Sequence, residues 1–324
     1  MNSPLVDIRD LRVKFSGQRT VHALNGVDIA LSPGESLGIL GESGSGKSVT
    51  LKAMLRLLPP RRTTVAGSIA VDGQDVLAMN ADTLADYRGK TVSMIFQEPA
   101  LALDPVYTLG HQIAESVIRH EGCDRATARQ RALDMFERVR IPSPARRLDA
   151  YPHEMSGGMR QRAMIALALA CRPKVLLADE PTTALDATVQ IQILLLLREL
   201  QREMGMAMIF VTHDMGVAVE VSDRIAVMYG GRIVESGGVA DVIKSPSHPY
   251  TRGLLASTVH GAMRGTRLEA IAGAPPSLAT APTGCSFAPR CRLATPACEG
   301  AVPPMVGVGP AHVARCIAVA PAAA

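Results

Sequence analysis

The stretch that decides the fold is Gly41-Glu42-Ser43-Gly44-Ser45-Gly46-Lys47-Ser48, which fits the pattern G-x-x-x-x-G-K-[ST] without a mismatch. Its glycines let the backbone curl so that successive N–H groups point at phosphate oxygens. In this pattern the lysine reaches the β- and γ-phosphates of a nucleotide, and the hydroxyl of Ser48 takes a Mg²⁺ coordination position. We therefore predict that this phosphate loop binds a nucleoside triphosphate together with Mg²⁺.

The residues on either side place the loop between a strand and a helix. Ser36-Leu37-Gly38-Ile39-Leu40 is short and apolar, as in a buried strand, and residues 49–58 have helical spacing up to Pro59-Pro60. A helix that begins at the loop directs its positive N-terminal end at bound phosphates. Strand-like and helix-like stretches continue to alternate over residues 5–255, which predicts a layered α/β fold.

The bulk composition of the 324 residues excludes several classes of protein. Hydrophobic residues make up 47% and charged residues 20%, which is typical of a soluble globular protein. The net charge of +4 is too small to indicate nucleic-acid binding. No apolar run approaches the roughly 20 residues that span a bilayer, and the first residues lack the features of a secretory signal. We expect a cytoplasmic protein that reaches a membrane only through partners.

The pattern along the chain predicts three structural parts. Apolar and polar residues alternate in the stretches 11–15 and 27–31, which indicates half-exposed antiparallel strands. Helical spacing dominates from about 100 to 165, which we interpret as a helical insertion. A proline-rich stretch from about Ala274 marks a small tail with little core of its own. We predict a nucleotide-binding domain over residues 1–260 and a C-terminal extension over residues 261–324.

Two carboxylates follow an apolar strand in Val175-Leu176-Leu177-Ala178-Asp179-Glu180. Phosphoryl transfer needs one acidic group for the Mg²⁺ shell and another group that orients or activates the attacking water. Asp179 fits the first role and Glu180 the second. An exposed acidic pair at a strand end is common, and the phosphate loop upstream is what favours the catalytic interpretation.

The stretch Met155-Ser156-Gly157-Gly158-Met159-Arg160-Gln161 resembles the signature of ATP-binding cassette (ABC) ATPases, which usually reads L-S-G-G-Q. Met155 and Met159 replace the first and fifth residues, and the Ser156-Gly157-Gly158 centre that the family uses to grip the γ-phosphate is present. A small loop at a helix N-terminus offers N–H groups and a hydroxyl to an anion. Ser156 is also suited to cap the helix that follows, and both roles can hold together.

The resemblance implies roles for further residues. Gln97 resembles the glutamine that senses Mg²⁺ or water and links to membrane domains, and Ala184-Leu185-Asp186 resembles the loop that contacts the other subunit of a dimer. His213 resembles the switch histidine that bonds the γ-phosphate and holds Glu180 and water in line. Taken alone, Gln97 and His213 would be ordinary strand-end residues. Phe15 is our candidate for the ring that stacks on adenine, with a core aromatic as the alternative.

The fold implied by the resemblance is α/β: an ABC-type nucleotide-binding domain with an antiparallel β subdomain and a helical subdomain, plus a small Cys-rich C-terminal extension. We expect Glu180, His213 and Gln97 to be catalytic, and Ser48, Gln97 and Asp179 to hold Mg²⁺. The residues expected to contact ATP are Phe15, Gly41, Ser43, Gly44, Ser45, Gly46, Lys47, Ser48, Val49, Gln97, Ser156, Gly157, Gly158, Asp179 and Asp186.

The tail is similar to that of the oligopeptide/dipeptide importer branch, through Ile271-Ala272-Gly273-Ala274-Pro275-Pro276 and the cysteine-bearing residues 282–291. That resemblance implies an ATPase subunit at the cytoplasmic face of the inner membrane, which energises peptide uptake through two permease subunits. A second, paralogous ATPase chain is expected as dimer partner, with a homodimer as the alternative, and an extracytoplasmic protein would deliver the substrate. A groove between the Gln97 region and the helical insertion, including residues 100–105, would receive a permease coupling helix.

Four cysteines lie within the tail at the spacing C-x₅-C-x₆-C-x₁₇-C: Cys285, Cys291, Cys298 and Cys316. Disulfides are disfavoured in the cytoplasm, and four thiolates suit either tetrahedral Zn²⁺ or an iron–sulfur cluster. The missing C-x₂-C pair counts against a zinc ribbon, and a tail without metal is a third possibility. The branch carries a [4Fe–4S] cluster on these cysteines, so the resemblance implies one here. His312 lies in the same segment and is not included in the ligand set.

Three other functions are alternatives to peptide import. A nickel importer has a very similar ATPase, because this subunit does not touch the cargo. A soluble ABC ATPase of DNA repair or translation has a long coiled-coil insertion or two cassettes, neither of which this sequence contains. A purely regulatory nucleotide-binding module is expected to lack Glu180 or His213, and both are present.

Overall fold

The computed structural model describes residues 3–183, 185–257 and 270–319. Its strands are β1 (Val6–Phe15), β2 (Val21–Leu31), β3 (Ser36–Leu40), β4 (Thr63–Val71), β5 (Gln74–Asp75), β6 (Val92–Ile95), β7 (Val175–Asp179), β8 (Ala207–Thr212), β9 (Arg224–Tyr229), β10 (Arg232–Gly238), β11 (Val306–Gly309) and β12 (His312–Ala314). Its α-helices are α1 (Lys47–Met54), α2 (Ala81–Lys90), α3 (Pro99–Ala102), α4 (Leu109–Glu121), α5 (Arg125–Arg138), α6 (Pro144–Arg147), α7 (Gly157–Leu169), α8 (Ala187–Met204), α9 (Met215–Val221), α10 (Val239–Lys244), α11 (Pro249–Ala256) and α12 (Ala297–Gly300). No helix of this described part is long and apolar enough to cross a membrane.

The described chain divides into two compact units. The first unit contains residues 3–31, 36–77, 211–257 and 270–319, and the second contains residues 32–35, 78–183 and 185–210. Residues 207–210 of β8 belong to the second unit, and the last two residues of that strand belong to the first. The predicted domain boundary between residues 260 and 261 lies outside the described residues.

An antiparallel sheet of the first unit has the strand order β2-β1-β4-β5. Its strands bury alternate side chains, as Leu11 and Val13 show in β1, because successive residues of a strand point to opposite faces. Asp72 and Gly73 both have positive φ, +51° and +74°, and join β4 to β5 in a tight hairpin. The prediction of antiparallel strands in this region is confirmed.

A second group of strands in the first unit has the order β11-β12-β10-β9-β3, with β3 parallel to β9 and the other neighbours antiparallel. The C-terminal strands β11 and β12 therefore extend a sheet built by earlier residues. Phe287 of the tail is buried in one apolar cluster with Leu40, Tyr229, Val234 and Tyr250. The described tail therefore shares its core with the preceding residues.

The second unit combines parallel strands with packed helices. β8, β7 and β6 lie side by side in that order, and every residue of β7 is buried. α4 packs against α5, and both pack against α7, which confirms helical structure in the predicted insertion. α5 begins after Asp124, whose carboxylate accepts a hydrogen bond from the backbone N–H of Thr127 (2.9 Å).

The helix after the phosphate loop differs from its prediction. α1 begins at Lys47 and ends at Met54, well before the two prolines. Arg56 has a φ of +49°, and the backbone N–H of Leu57 donates to the carbonyl of Lys52 (2.8 Å), so the chain leaves the helix in a left-handed turn. The prolines therefore do not stop this helix.

Candidate functional site

The phosphate loop joins β3 to α1 in the first unit, and close backbone approaches explain two of its glycines. A Cβ atom at Gly41 would collide with the carbonyl oxygen of Met228. At Gly46, which has a φ of +110°, a Cβ atom would lie 2.7 Å from Leu24 Cδ2 and 2.9 Å from the carbonyl oxygen of Ala23. A side chain at either position would have to displace the loop or its neighbours.

Lys47 lies across the loop that precedes it. The residue is only 5% exposed, and its Nζ donates to the carbonyl oxygens of Gly41 (2.7 Å) and Glu42 (3.1 Å). Ser45 Oγ is buried and has no hydrogen-bond partner among the residues that the structure describes. A buried ammonium group and an unsatisfied hydroxyl on a curled loop are suited to phosphate oxygens, which are strong acceptors.

In the second unit, the structure brings Gln97 and Glu180 together. Gln97 Nε2 lies 3.4 Å from Glu180 Oε2, and Thr183 Oγ1 donates to the same oxygen at 3.2 Å. Asp179, the last residue of β7, is 3% exposed. Thr183 was not predicted as a site residue, although its position three residues after Glu180 could have indicated a contact with that carboxylate. A carboxylate oriented by two neutral donors is suited to accept a proton from water.

Ser156 and Asp186 are both helix caps in the second unit. Ser156 Oγ accepts the backbone N–H of Met159 at the start of α7 (3.4 Å), and Asp186 Oδ1 accepts that of Val189 at the start of α8 (3.0 Å). The capping alternative for Ser156 is therefore observed, and its side chain remains exposed. Ala184, which completes the predicted dimer-contacting loop, lies outside the described residues.

Phe15 and His213 lie at strand ends of the first unit. Phe15 is the half-buried last residue of β1, opposite Val21 of β2 and Thr63 of β4. His213 is exposed and follows β8 directly. A half-buried aromatic ring at a strand end could stack on a base, and an exposed imidazole after a strand could reach a phosphate, so both roles remain predictions.

The four tail cysteines line one small cavity of the first unit together with His248 and Phe287. The backbone N–H groups of Leu293 and Thr295 point at the sulfurs of Cys291 (3.3 Å) and Cys298 (3.5 Å). Within the described residues, no group of three or more His, Cys, Asp or Glu side chains is arranged to hold a metal ion. The predicted ligand set is therefore not confirmed by the structure.

The cavity is apolar enough to disfavour charge. Burial raises the pKa of the thiols of Cys285 and Cys316, and backbone hydrogen bonds offset part of the rise. Burial, reinforced by Arg252, lowers the pKa of His248 to about 4, so its imidazole is neutral at pH 7. His312 lies elsewhere in the same unit, where its Nε2 is 2.8 Å from Glu235 Oε1.

Comparison with known proteins identifies the family. Residues 24–183 match the ABC transporter model, and residues 234–298 match the C-terminal region of oligopeptide/dipeptide transporters. A probable peptide ABC transporter ATP-binding protein of Sinorhizobium fredii is 51% identical over 278 residues, covering 85% of this chain and 83% of that protein. The chain belongs to the ABC transporter ATP-binding proteins.

Two further relatives of this ABC ATPase come from Bacillus subtilis. The oligopeptide transport ATP-binding protein OppD is 47% identical and the dipeptide transport ATP-binding protein DppD 45% identical, each over 85% of this chain, covering 77% and 82% of those proteins. A dimeric ATP-binding cassette, MJ0796, solved in a post-hydrolysis state with ADP and Pi, superposes with a TM-score of 0.64 at 30% identity, over 72% of this chain and 98% of that one. The predicted mixed α/β cassette fold is confirmed.

A cavity of about 660 Å³ lies in the second unit of this ABC ATPase. Val106, Tyr107, Ile118 and Tyr151 line it, and Val106 is 69% exposed. Gln112 holds the adjoining loop, since its side-chain amide bonds the backbone of residues 104 and 107. The predicted docking groove included residues 100–105, and the side chains of residues 100 and 101 lie outside the described part.

Proposed function

We propose that this chain is the ATP-hydrolysing subunit of a bacterial ABC importer that energises the uptake of di- and oligopeptides. The observation that carries the proposal is the match of residues 234–298 to the C-terminal region of oligopeptide/dipeptide transporters, on a chain that has a complete phosphate loop. The B. subtilis relatives named for oligopeptide and dipeptide transport support the same substrate class.

We assign ATP binding to the N–H groups of residues 41–48 and to the ammonium of Lys47. We assign Ser48, Gln97 and Asp179 as the oxygen donors that would hold Mg²⁺, which would supply positive charge to offset that of the bound phosphates. Asp179 supports this donor set, because it ends β7 with a carboxylate, a ligand type that Mg²⁺ prefers.

Hydrolysis is assigned to Glu180 as the group that accepts a proton from the attacking water. The contacts from Gln97 and Thr183 support this role, since they fix the direction of the carboxylate. His213 would hydrogen-bond the γ-phosphate, and Phe15 would stack on adenine. The exposure of Ser156 and Asp186 supports their action on the nucleotide and loop of a second ATPase subunit.

The chain would work peripherally at the cytoplasmic face of the cell membrane with two permease subunits. The cavity lined by Val106, Tyr107, Ile118 and Tyr151 would receive a cytoplasmic helix of a permease, because it presents apolar side chains beside Arg119 and Arg129. A paralogous ATPase chain is the proposed dimer partner, and a binding protein outside the membrane would supply the peptide.

A transport assay tests this function. The tagged chain is purified from detergent-solubilised native membranes, its partners are identified by mass spectrometry, and the complex is reconstituted in vesicles with the binding protein. We expect ATP-dependent peptide uptake that is abolished by Lys47→Ala and retained by Lys52→Ala, an exposed lysine of the same helix. Nickel uptake without peptide uptake, or capture of DNA-repair or ribosomal partners alone, would refute the proposal.

We further propose that Cys285, Cys291, Cys298 and Cys316 hold a [4Fe–4S] cluster, with Zn²⁺ as the alternative. The shared cavity brings the four cysteines together, and the N–H groups aimed at the sulfurs of Cys291 and Cys298 support thiolate ligation, because such hydrogen bonds stabilise negative sulfur. When bound, the cluster would tie the tail together as a structural group or act as a redox sensor.

Anaerobic purification of the full chain tests the cluster. We expect about four iron and four sulfide ions per chain and a paramagnetic resonance signal after reduction, both lost in Cys298→Ser. Cys123→Ser, which changes a cysteine of the second unit, is the matched control and should retain both. Zinc alone at about one ion per chain would favour the alternative, and absence of both metals would exclude a metal-bound tail.

A further inference from the structure

Arg290 of the C-terminal tail forms a forked ion pair with the phosphate loop. Its Nη1 lies 2.7 Å from Glu42 Oε2 and its Nη2 3.1 Å from Glu42 Oε1. Further hydrogen bonds run from Nη1 to Tyr229 Oη (3.2 Å), from Nη2 to the carbonyl of Ile271 (3.2 Å) and from Nε to that of Ala272 (2.9 Å). These contacts use every N–H donor of the guanidinium, which is fixed in one orientation.

Glu42 is the second residue of the phosphate loop, and the protein holds it at three points. Arg290 binds its carboxylate, Tyr250 Oη accepts its backbone N–H (2.9 Å), and Lys47 Nζ donates to its carbonyl oxygen (3.1 Å). The carbonyl group that Lys47 contacts therefore belongs to the same residue, Glu42, whose carboxylate binds Arg290 of the tail. The side chain of Arg290 is 5% exposed and that of Glu42 27%, so water screens the pair only partly.

Phe287 attaches the same tail segment by apolar contacts. It is 3% exposed, and its ring centroid lies 5.2 Å from that of Tyr229 and 5.4 Å from that of Tyr250. These are the two tyrosines whose hydroxyl groups meet Arg290 and Glu42. The segment from Cys285 to Cys291 thus makes two kinds of contact near the phosphate loop. The charged side chain of Arg290 binds Glu42, and the aromatic ring of Phe287 packs on the two tyrosines.

We infer that Arg290 is a positioning residue for ATP binding, through which the tail segment 285–291 sets the affinity of the phosphate loop. The inference rests on the proposed nucleotide site at residues 41–48. With Arg290 in place, the charge of Glu42 is neutralised and its peptide group is held in position. The ammonium group of Lys47 can then leave the carbonyl oxygen of Glu42 and bind a phosphate oxygen instead. Without Arg290, an unpaired carboxylate remains on a loop that must bind a polyphosphate, and like charges repel.

Nucleotide affinity of the full-length chain tests this role. The measurement is the Kd for a non-hydrolysable ATP analogue with Mg²⁺, together with KM and kcat for ATP in the assembled complex. We expect Arg290→Ala to raise Kd and KM about tenfold, the loss typical of hydrogen bonds to charged groups, while kcat changes much less. Arg290→Lys should fall between, because a lysine keeps the charge and loses the fork.

A second substitution separates positioning from a general effect on folding. We expect Glu42→Gln to restore most of the affinity of the Arg290→Ala protein, because it removes the unpaired charge. Arg292→Ala, an exposed arginine two residues away, is the matched control and should bind as the parent does. If Arg290→Ala does not fold, Arg290→Lys and Glu42→Gln carry the comparison.

Two results would overturn the inference: an unchanged Kd in folded Arg290→Ala or Arg290→Lys protein, or an equal loss of affinity whether or not Glu42 is replaced. A separate measurement tests the proposed nucleotide site, on which the inference rests. Lys47→Ala must abolish binding in the same assay, and retained binding there would refute the nucleotide site itself.

Discussion

Among the individual residues, Glu180 has the most unusual conformation of the predicted catalytic groups. It is not a glycine, yet its φ is +45°, a region that costs side-chain-bearing residues of order 1–3 kcal/mol. The sequence predicted the carboxylate from its place after an apolar strand. It could not predict the strained backbone or the bond from Thr183, because both depend on how the chain turns after β7.

The proposed role of Glu180 as the general base has a testable consequence. We expect Glu180→Gln to bind ATP with nearly unchanged Kd, since the amide keeps the shape, while hydrolysis falls by about 10²–10⁴, the usual contribution of a general base. Phosphate release is measured in the complex whose second ATPase subunit already carries the equivalent substitution, so that it reports this chain's turnover. Glu220→Gln, an exposed glutamate of α9, is the control, and parent-like turnover in Glu180→Gln would remove Glu180 from catalysis.

Among the helices and strands, those specified by local sequence were predicted well. β3 matches its predicted bounds and β7 coincides with the predicted apolar strand before Glu180, because each is a short, mostly apolar run between turn residues. The end of α1 was wrong, because a left-handed Arg56 ends it and arginine carries no sequence sign of that conformation.

The tail shows the same limit for contacts distant in sequence. β11 and β12 are short and were not predicted: β12 pairs with β10, whose residues precede it by about eighty positions, and β11 pairs with β12. The cysteines could be predicted as a group from their number and spacing. The partner of Arg290 could not, since Glu42 lies 248 residues away and nothing in either local sequence indicates the pairing.

For the molecule as a whole, ATP binding and the order of the tail are coupled if Arg290 positions the phosphate loop. Such coupling is reciprocal, so whatever the tail does to ATP affinity, ATP must do to the tail. The route is short and contained in the first unit: Lys47 to the backbone of Glu42, its carboxylate to Arg290, and the shared tyrosines to Phe287. A local event at the loop should therefore be detectable near the cysteines.

Hydrogen exchange read by mass spectrometry measures that effect. We expect ATP to slow amide exchange several-fold in residues 285–291 as well as in residues 41–48, because bound phosphate restricts opening of the loop and of the segment attached to it. In Arg290→Ala at saturating ATP, the slowing should persist in residues 41–48 and disappear from residues 285–291, and Lys47→Ala should show neither. Equal protection of the tail in the parent and in Arg290→Ala would mean that the ion pair does not transmit ATP binding, since the loop would then reach the tail by another route.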